Sequence, residues 1–228
     1  MIIPEQVRRV GAVVLLAALL CGAEAVHVRA ADTAATQFKK GEAAYAAGDF
    51  AQAAKVWRPL AEKGDAQAQY AMGLLARRGL GVPRDPDAAA QWWRKAANQG
   101  HTIAQFNLGV LYESGEGVRK SHDEAFKWYR LAAERGDPDA QFNLGLLYAA
   151  GHGVKRDLTA AAGWYRKAAE QGDAAAQYTL GLAYAAGMGV TEDRATALAW
   201  LNKSAAQGFQ PARDALTKLA PEPKEKKR

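Results

Sequence analysis

Four consecutive stretches of this chain align without gaps at a period of 36 residues, starting at residues 65, 101, 137 and 173. Each stretch places a glycine and a tryptophan at fixed positions. The glycine column holds Gly73, Gly109, Gly145 and Gly181, and the tryptophan column holds Trp92, Trp128, Trp164 and Trp200. In a repeat array each unit contacts only its neighbours, so the chain is predicted to expose a long surface rather than to form a compact enzyme fold.

Each repeat contains two helical patterns separated by a glycine-rich turn. In the second repeat, Phe106, Leu108 and Leu111 recur at helical spacing before Gly115, and a second pattern runs up to Gly136. We name the two predicted helices helix A and helix B. A side-chain acceptor stands before each of them, which predicts an N-cap. These columns are Asp65, Asp137 and Asp173 for helix A, with His101 as the odd member, and Asp85, Ser121, Asp157 and Asp193 for helix B.

The glycine column lies inside helix A, where each glycine costs about 1 kcal/mol relative to alanine. A close approach of helix B explains such a column. We expect alanines of helix B, for example Ala125 and Ala133, to supply the matching small surface. The tryptophans and neighbouring tyrosines are then predicted to fill the space between successive hairpins.

The two ends of the array are predicted to differ from its middle. Residues 34–64 repeat the pattern with a shorter turn and are interpreted as an N-terminal hairpin, and residues 209–220 are interpreted as a capping helix. Residues 221–228 are rich in lysine and are predicted to be disordered. The four full repeats between them span 65–100, 101–136, 137–172 and 173–208.

Residues 1–30 have the pattern of an export signal. Arg8 and Arg9 precede an apolar run at 10–21 that is too short for a bilayer span of roughly 20 residues. Cleavage is predicted after Ala25 or after Ala30, and the sequence does not choose between them. The chain is therefore expected in the periplasm or outside the cell, without an integral membrane segment after cleavage.

Cys21 is the single cysteine of the chain and lies at the end of the apolar run. Lipid attachment at Cys21, which would make the protein an outer-membrane lipoprotein, is the less favoured alternative. Leu20 occupies the position at which lipidation requires a small residue.

The charge pattern argues against nucleic acid as a partner. The formal net charge is +6, from 30 basic and 24 acidic residues that are scattered rather than arranged in a stripe. Such a pattern neutralises few phosphates.

The segment from Ala104 to Val118, Ala-Gln-Phe-Asn-Leu-Gly-Val-Leu-Tyr-x-x-Gly-x-Gly-Val, resembles the Sel1-like repeat family, as do the Trp128-Tyr129 pair and the alanines before Gly136. The resemblance covers residues 65–208 and recurs four times. It implies an all-α fold, a right-handed α-solenoid of tetratricopeptide-like helix-turn-helix repeats, and a role as a scaffold or adaptor between proteins. Some secreted family members are rich in cysteine and act on β-lactams, but the cysteines they share are missing here.

By the same resemblance, the concave face of the solenoid is formed mainly by helix A and is the expected place for a protein or peptide partner. Asn107 and Asn143 occupy a position that can hydrogen-bond the backbone of an extended peptide in related repeats. Alternatively, they bridge adjacent helices. The candidate residues for this face are Tyr70, Arg77, Phe106, Asn107, Glu113, Phe142, Asn143 and Tyr178.

No catalytic, cofactor-binding or metal-binding residue is predicted. The Gly-x-Gly turns, such as Gly115 to Gly117, lack the Lys-Ser/Thr of a phosphate-binding loop and are interpreted as structural. His101, His122 and His152 occupy three different repeat positions, which excludes an aligned ladder of ligands. We therefore expect an exported scaffold of the bacterial cell envelope. The alternative is a hydrolase directed at cell-wall or β-lactam substrates, related to the cysteine-rich members.

Overall fold

The structure is a computed structural model that describes residues 33–219. The predicted signal at 1–30 and the predicted tail at 221–228 lie outside the described residues. Within 33–219 every regular element is a helix. The helices are α1 (33–46), α2 (Phe50–Glu62), α3 (Ala66–Arg78), α4 (Pro86–Asn98), α5 (Thr102–Ser114), α6 (His122–Glu134), α7 (Pro138–Ala150), α8 (Leu158–Glu170), α9 (Ala174–Ala186), α10 (Arg194–Ala206) and α11 (Gln210–Leu219).

The part of the chain that the structure describes divides into two compact units, with the boundary between Arg84 and Asp85. The first contains α1 to α3 and the second α4 to α11. No helix in the described part of either unit combines the length and apolar character needed to cross a membrane.

The first unit is built around Trp57 of α2, which is only 4% exposed. Its indole nitrogen donates to the carbonyl of Phe38 on α1 at 3.1 Å, and the two rings stack with centroids 5.6 Å apart. Gly41 lets α1 approach this indole, since a Cβ on Gly41 would lie 2.2 Å from its nitrogen. The aromatic core thus fixes α1 against α2.

The predicted N-caps are confirmed, including the unusual one. The carboxylate of Asp137 accepts from the Ala140 amide at 2.8 Å, and the hydroxyl of Ser121 accepts from the Glu124 amide at 3.3 Å. His101 caps α5 through Nδ1, which accepts from the Ala104 amide at 3.2 Å. Each cap satisfies a backbone donor that has no partner inside the helix.

In the second unit each helix packs against the next one along the chain. Helix A of every hairpin contacts its own helix B, and it also contacts helix B of the preceding hairpin. The buried cluster around Leu144, for example, combines residues of α6 and α7 and is covered by Phe106 of α5 and Trp164 of α8. The core is therefore a continuous strip within this unit.

The predicted close approach of helix B at the helix A glycines is confirmed. A Cβ on Gly109 would lie 2.6 Å from the ring of Tyr129, and one on Gly145 would lie 2.5 Å from the ring of Tyr165. The alanine column of helix B lines the notch as predicted, because a Cβ on Gly145 would lie 3.2 Å from the Ala161 carbonyl oxygen and one on Gly181 would lie 3.2 Å from the Ala197 carbonyl oxygen. The side chain that fills the notch is a tyrosine ring at Gly109 and Gly145 and Leu201 at Gly181, where it would lie 2.8 Å from a Cβ.

The tryptophan column is less deeply buried than the sequence suggested. Trp128 is buried, whereas Trp92, Trp164 and Trp200 are half-buried. A lysine ammonium lies over each ring, from three residues later in the case of Trp92, Trp164 and Trp200. Over Trp128 it comes from the preceding residue, Lys127. The next position along helix B holds the deepest side chains, namely Trp93, Tyr129, Tyr165 and Leu201, all at most 5% exposed.

Buried glutamines tie each helix A to the preceding helix B. The side-chain nitrogen of Gln141 donates to the carbonyl of Ala133, eight residues earlier, at 3.1 Å. That carbonyl belongs to the last turn of α6, where the helix itself offers no donor. The same bond recurs from Gln105 to Ala97 and from Gln177 to Ala169.

A second set of hydrogen bonds joins one repeat to the next. The Gln171 side-chain nitrogen donates to the Gly136 carbonyl at 2.9 Å and to the Gln141 side-chain oxygen at 2.8 Å. Gln207 makes the same two bonds to Gly172 and Gln177.

The second repeat breaks this pattern because position 135 is arginine. Arg135 still reaches the Gly100 carbonyl at 3.1 Å. The buried side-chain oxygen of Gln105 is left without a hydrogen bond among residues 33–219.

We expect Arg135→Gln to raise the free energy of unfolding by about 1 kcal/mol, because it supplies the donor that Gln105 lacks. Urea denaturation measures the change. The reverse substitution at the equivalent site, Gln171→Arg, is the matched control and should lower stability by about as much. An Arg135→Gln variant no more stable than the parent would contradict the view that a missing donor at Gln105 costs stability.

Candidate partner-binding surface

The predicted contact residues of the second unit lie along one side of its A helices. On α5, Phe106, Asn107, Val110 and Glu113 follow the spacing that places side chains on one side of a helix. We call the combined surface the A-face. It comprises Phe106, Asn107, Val110 and Glu113 on α5, Phe142, Asn143, Leu146 and Ala149 on α7, and Tyr178, Leu182 and Ala185 on α9.

The aromatic members of the A-face are half-buried and packed against the aromatic strip behind them. Phe106 lies 5.8 Å from Tyr129 and Phe142 lies 5.7 Å from Tyr165, measured between ring centroids. Tyr178 has no aromatic partner at position 201 and packs on Phe209 at 5.5 Å. Each ring is held by one side and leaves the other accessible.

Apolar side chains are also exposed on this surface. Among the described residues, the large apolar side chains with high exposure are Ile103, Leu146 and Met188. Leu146 belongs to the A-face and is 41% exposed, and Ile103 lies one helical turn before Phe106. Two of the three therefore lie on the same side of the A helices.

The side chains of Asn107 and Asn143 make no hydrogen bond to any other residue within 33–219. Both side chains are half-buried, and their amide donors and acceptors stay available. The alternative that they bridge adjacent helices finds no hydrogen bond to support it in the described part of the chain. The corresponding Thr179 bonds its own helix instead, at the Ala175 carbonyl.

Glu113 has a structural partner. Its carboxylate accepts a hydrogen bond of 2.7 Å from the Tyr129 hydroxyl. Burial, followed by this bond and the charge of Glu113, raises the pKa of Tyr129 far above its ordinary value. Tyr165, whose pKa burial raises to about 12, has Ala149 at the place of Glu113. Glu113 therefore secures the aromatic strip behind the A-face.

The two remaining candidates lie in the first unit, on α3. Arg77 is half-buried in the last turn of that helix. Tyr70 lines an aromatic pocket together with Phe38, Tyr45 and Trp57. The sequence did not indicate this pocket, because it is formed by side chains that come from three different helices.

Two histidines that occupy different repeat positions come together in the structure. The rings of His122 and His152 stack with centroids 4.5 Å apart. The contact arises because the turn after α7 lies against the first residue of α6, where a Cβ on Gly153 would be 2.3 Å from the His122 carbonyl oxygen. Within 33–219 no group of three or more His, Cys, Asp or Glu is placed to hold a metal ion.

The Gly-x-Gly turns make the same kind of contact, in which the turn after a helix A lies against the start of the preceding helix B. A Cβ on Gly117 or on Gly189 would also fall within 2.3 Å of the backbone at the start of the preceding helix B, at Pro86 and Leu158. The structural interpretation of these turns is confirmed.

Comparison with known families agrees with this geometry. The family model of the Sel1 repeat matches residues 66–101, 102–137, 138–173 and 174–209. The chain belongs to the Sel1 repeat family. Sel1 repeats are generally scaffolds for protein–protein interaction, and their fold is typically non-enzymatic. The predicted all-α solenoid class is thereby confirmed.

Solved structures of Sel1 proteins resemble this chain. A protective antigen of uropathogenic Escherichia coli with an SLR fold is 40% identical, with a TM-score of 0.76 over 79% of this chain. This chain spans only 39% of the length of that antigen. A Sel1 repeat protein from Oxalobacter formigenes is 38% identical, with a TM-score of 0.73, and the match covers 76% of this chain and 72% of the other. The comparison with curated proteins finds no match.

Proposed function

We propose that this Sel1 repeat protein is an exported scaffold of the bacterial cell envelope that binds a protein partner through the A-face. The observation that carries the proposal is the combination of open amides at Asn107 and Asn143 with accessible apolar side chains beside them. An extended polypeptide can contact both the free amides and the apolar side chains. Its backbone offers donors and acceptors at every residue, and alternate side chains bury apolar area.

The equivalent placement of the two asparagines supports a polypeptide rather than a small molecule. They occupy the same position on α5 and α7, one repeat apart. The apolar side chains of both helices lie beside them on the A-face. Such a surface suits a ligand that extends across several repeats.

Export rests on the charged and apolar pattern of residues 1–30. The similarity to a protective antigen supports a location that meets the cell exterior. Mass spectrometry of the mature N-terminus from a periplasmic fraction tests this part. A terminus after Ala25 or Ala30 supports it, and an acylated Cys21 would instead identify a lipoprotein.

The double substitution Asn107→Ala with Asn143→Ala is expected to weaken partner binding about tenfold, since two hydrogen bonds to the partner are lost. Helicity, measured by circular dichroism, should not change. The partner is first identified by crosslinking in cells from a photoreactive residue at position 146, and its affinity is then measured by titration calorimetry.

Asn202→Ala is the matched control, because Asn202 is exposed on α10 and bonds only its own helix at Leu198. It should leave the affinity unchanged. Equal affinities for the parent and the double variant would contradict the proposed surface. Turnover of nitrocefin or of a muropeptide by the purified protein would favour the hydrolase alternative over a scaffold.

A further inference from the structure

The first unit contains a further candidate site. It is a pocket of about 240 Å³ between α1, α2 and α3, and its walls are aromatic or apolar apart from one carboxylate. The side chains that line it and carry the argument are Phe38, Glu42, Tyr45, Trp57, Tyr70 and Leu74.

The floor of the pocket is rigid. Trp57 is 4% exposed and its indole nitrogen is already bonded to the Phe38 carbonyl. Tyr45 lies 5.9 Å from Trp57 and 5.1 Å from Phe50, measured between ring centroids. These contacts fix the orientation of the aromatic walls before any ligand arrives.

The accessible aromatic surface comes from Phe38, Tyr45 and Tyr70, which are half-buried. Aromatic faces carry partial negative charge and attract cations, and the attraction grows where water is excluded. Several rings around one small cavity therefore favour a flat or compact cation over a neutral group.

Glu42 gives the pocket its charge. It lies on α1 between Phe38 and Tyr45, one turn from each, so its side chain is at the same side of the helix. Its carboxylate is exposed and makes no ion pair or hydrogen bond with any residue in the described part of the chain. The one charged group that lines the pocket is thus an unpaired anion.

We propose that this pocket binds an arginine side chain presented by a polypeptide. A guanidinium is planar, stacks on aromatic faces and forms charge-assisted hydrogen bonds with a carboxylate, and its apolar stem suits the wall made by Leu74. The volume accommodates one side chain. The inference rests on the proposed scaffold function in one respect, because a protein partner would carry the arginine.

The test uses a short peptide, so that the pocket is examined independently of the A-face. Acetyl-Gly-Arg-Gly-amide is titrated into the ¹³C- and ¹⁵N-labelled protein, and chemical shifts of the first unit are followed by NMR. The control peptide replaces arginine with citrulline, which has nearly the same shape and no charge. We expect the arginine peptide to bind about fivefold or more tightly than the citrulline peptide, with shifts at Phe38, Tyr45 and Tyr70.

The variant Glu42→Gln should remove most of that preference, whereas Glu62→Gln, an exposed site at the end of α2, should retain it. Equal binding of both peptides would overturn the proposal by showing a merely apolar pocket. Arginine binding that Glu42→Gln leaves intact, or shifts located outside the first unit, would overturn it as well. None of these results bears on the A-face, which the asparagine variants test separately.

Discussion

Replacing Gly153 with alanine is expected to lower the free energy of unfolding by about 3 kcal/mol or more. Gly153 has φ of +67°, in the left-handed region that an L side chain adopts only with strain. Its new Cβ would also lie 2.3 Å from the His122 carbonyl oxygen, in the first residue of α6. The turn would have to withdraw from the preceding hairpin. Denaturation by urea, monitored by circular dichroism, measures the loss.

Gly136→Ala is the control that separates backbone strain from the contact between repeats. Gly136 has φ of +93° and no atom near the position that a Cβ would take. Its substitution should cost only about 1–2 kcal/mol, the strain of an L residue in the left-handed region. Equal losses for the two variants would show that the turn after α7 is not a joint between repeats.

Tyr129→Ala is expected to destabilise the protein by about 3–5 kcal/mol, as is usual for a buried aromatic residue. Tyr129 is fully buried, fills the notch at Gly109 and donates its hydroxyl hydrogen to Glu113. Removing the ring leaves a cavity between α5, α6 and α7 and leaves Glu113 without its partner. The midpoint and slope of urea denaturation give the difference.

Trp164→Ala is the comparison that decides which aromatic column carries the core. Trp164 is larger than Tyr129 but half-buried, with the Lys167 ammonium over its ring. We expect its loss to cost at least about 1 kcal/mol less than the loss of Tyr129. A larger effect at Trp164 would show that the tryptophan column, and not the next column along helix B, carries the core.

The local features of the fold were predictable because they depend on a few neighbouring residues. An N-cap such as Asp137 or Ser121 needs only an acceptor three residues before a free amide. The period itself fixed the order of helices, since each 36-residue unit carries the same two patterns. The same position caps the helix even where the residue type differs, because the ring nitrogen of His101 caps α5 at the place of an aspartate.

Contacts between repeats could not be read from the same patterns. Trp128 and Tyr129 are adjacent on helix B, and periodicity alone does not say which of the two columns faces the glycine notch. The stack of His122 and His152 depends on the turn after α7 meeting the start of α6, which is a contact 30 residues apart. The Gln141 to Gln171 bond has the same separation.

The candidate surface followed partly from the sequence and partly from the structure. Phe106 and Phe142 could be assigned to one side of helix A from spacing alone. The role of Glu113 behind the surface, and the pocket around Glu42, needed coordinates, because each depends on side chains from different helices.

The central claim is that a partner contacts the A-face, and site-specific photo-crosslinking in cells tests it most directly. A photoreactive residue is placed at Leu146, on the A-face and 41% exposed, or at Met188, in the turn after α9 and 45% exposed. We predict a specific crosslinked product from position 146 that is strongly reduced in the Asn107→Ala, Asn143→Ala background, and none from position 188. Crosslinking of equal yield from both positions, or from position 188 alone, would contradict the account.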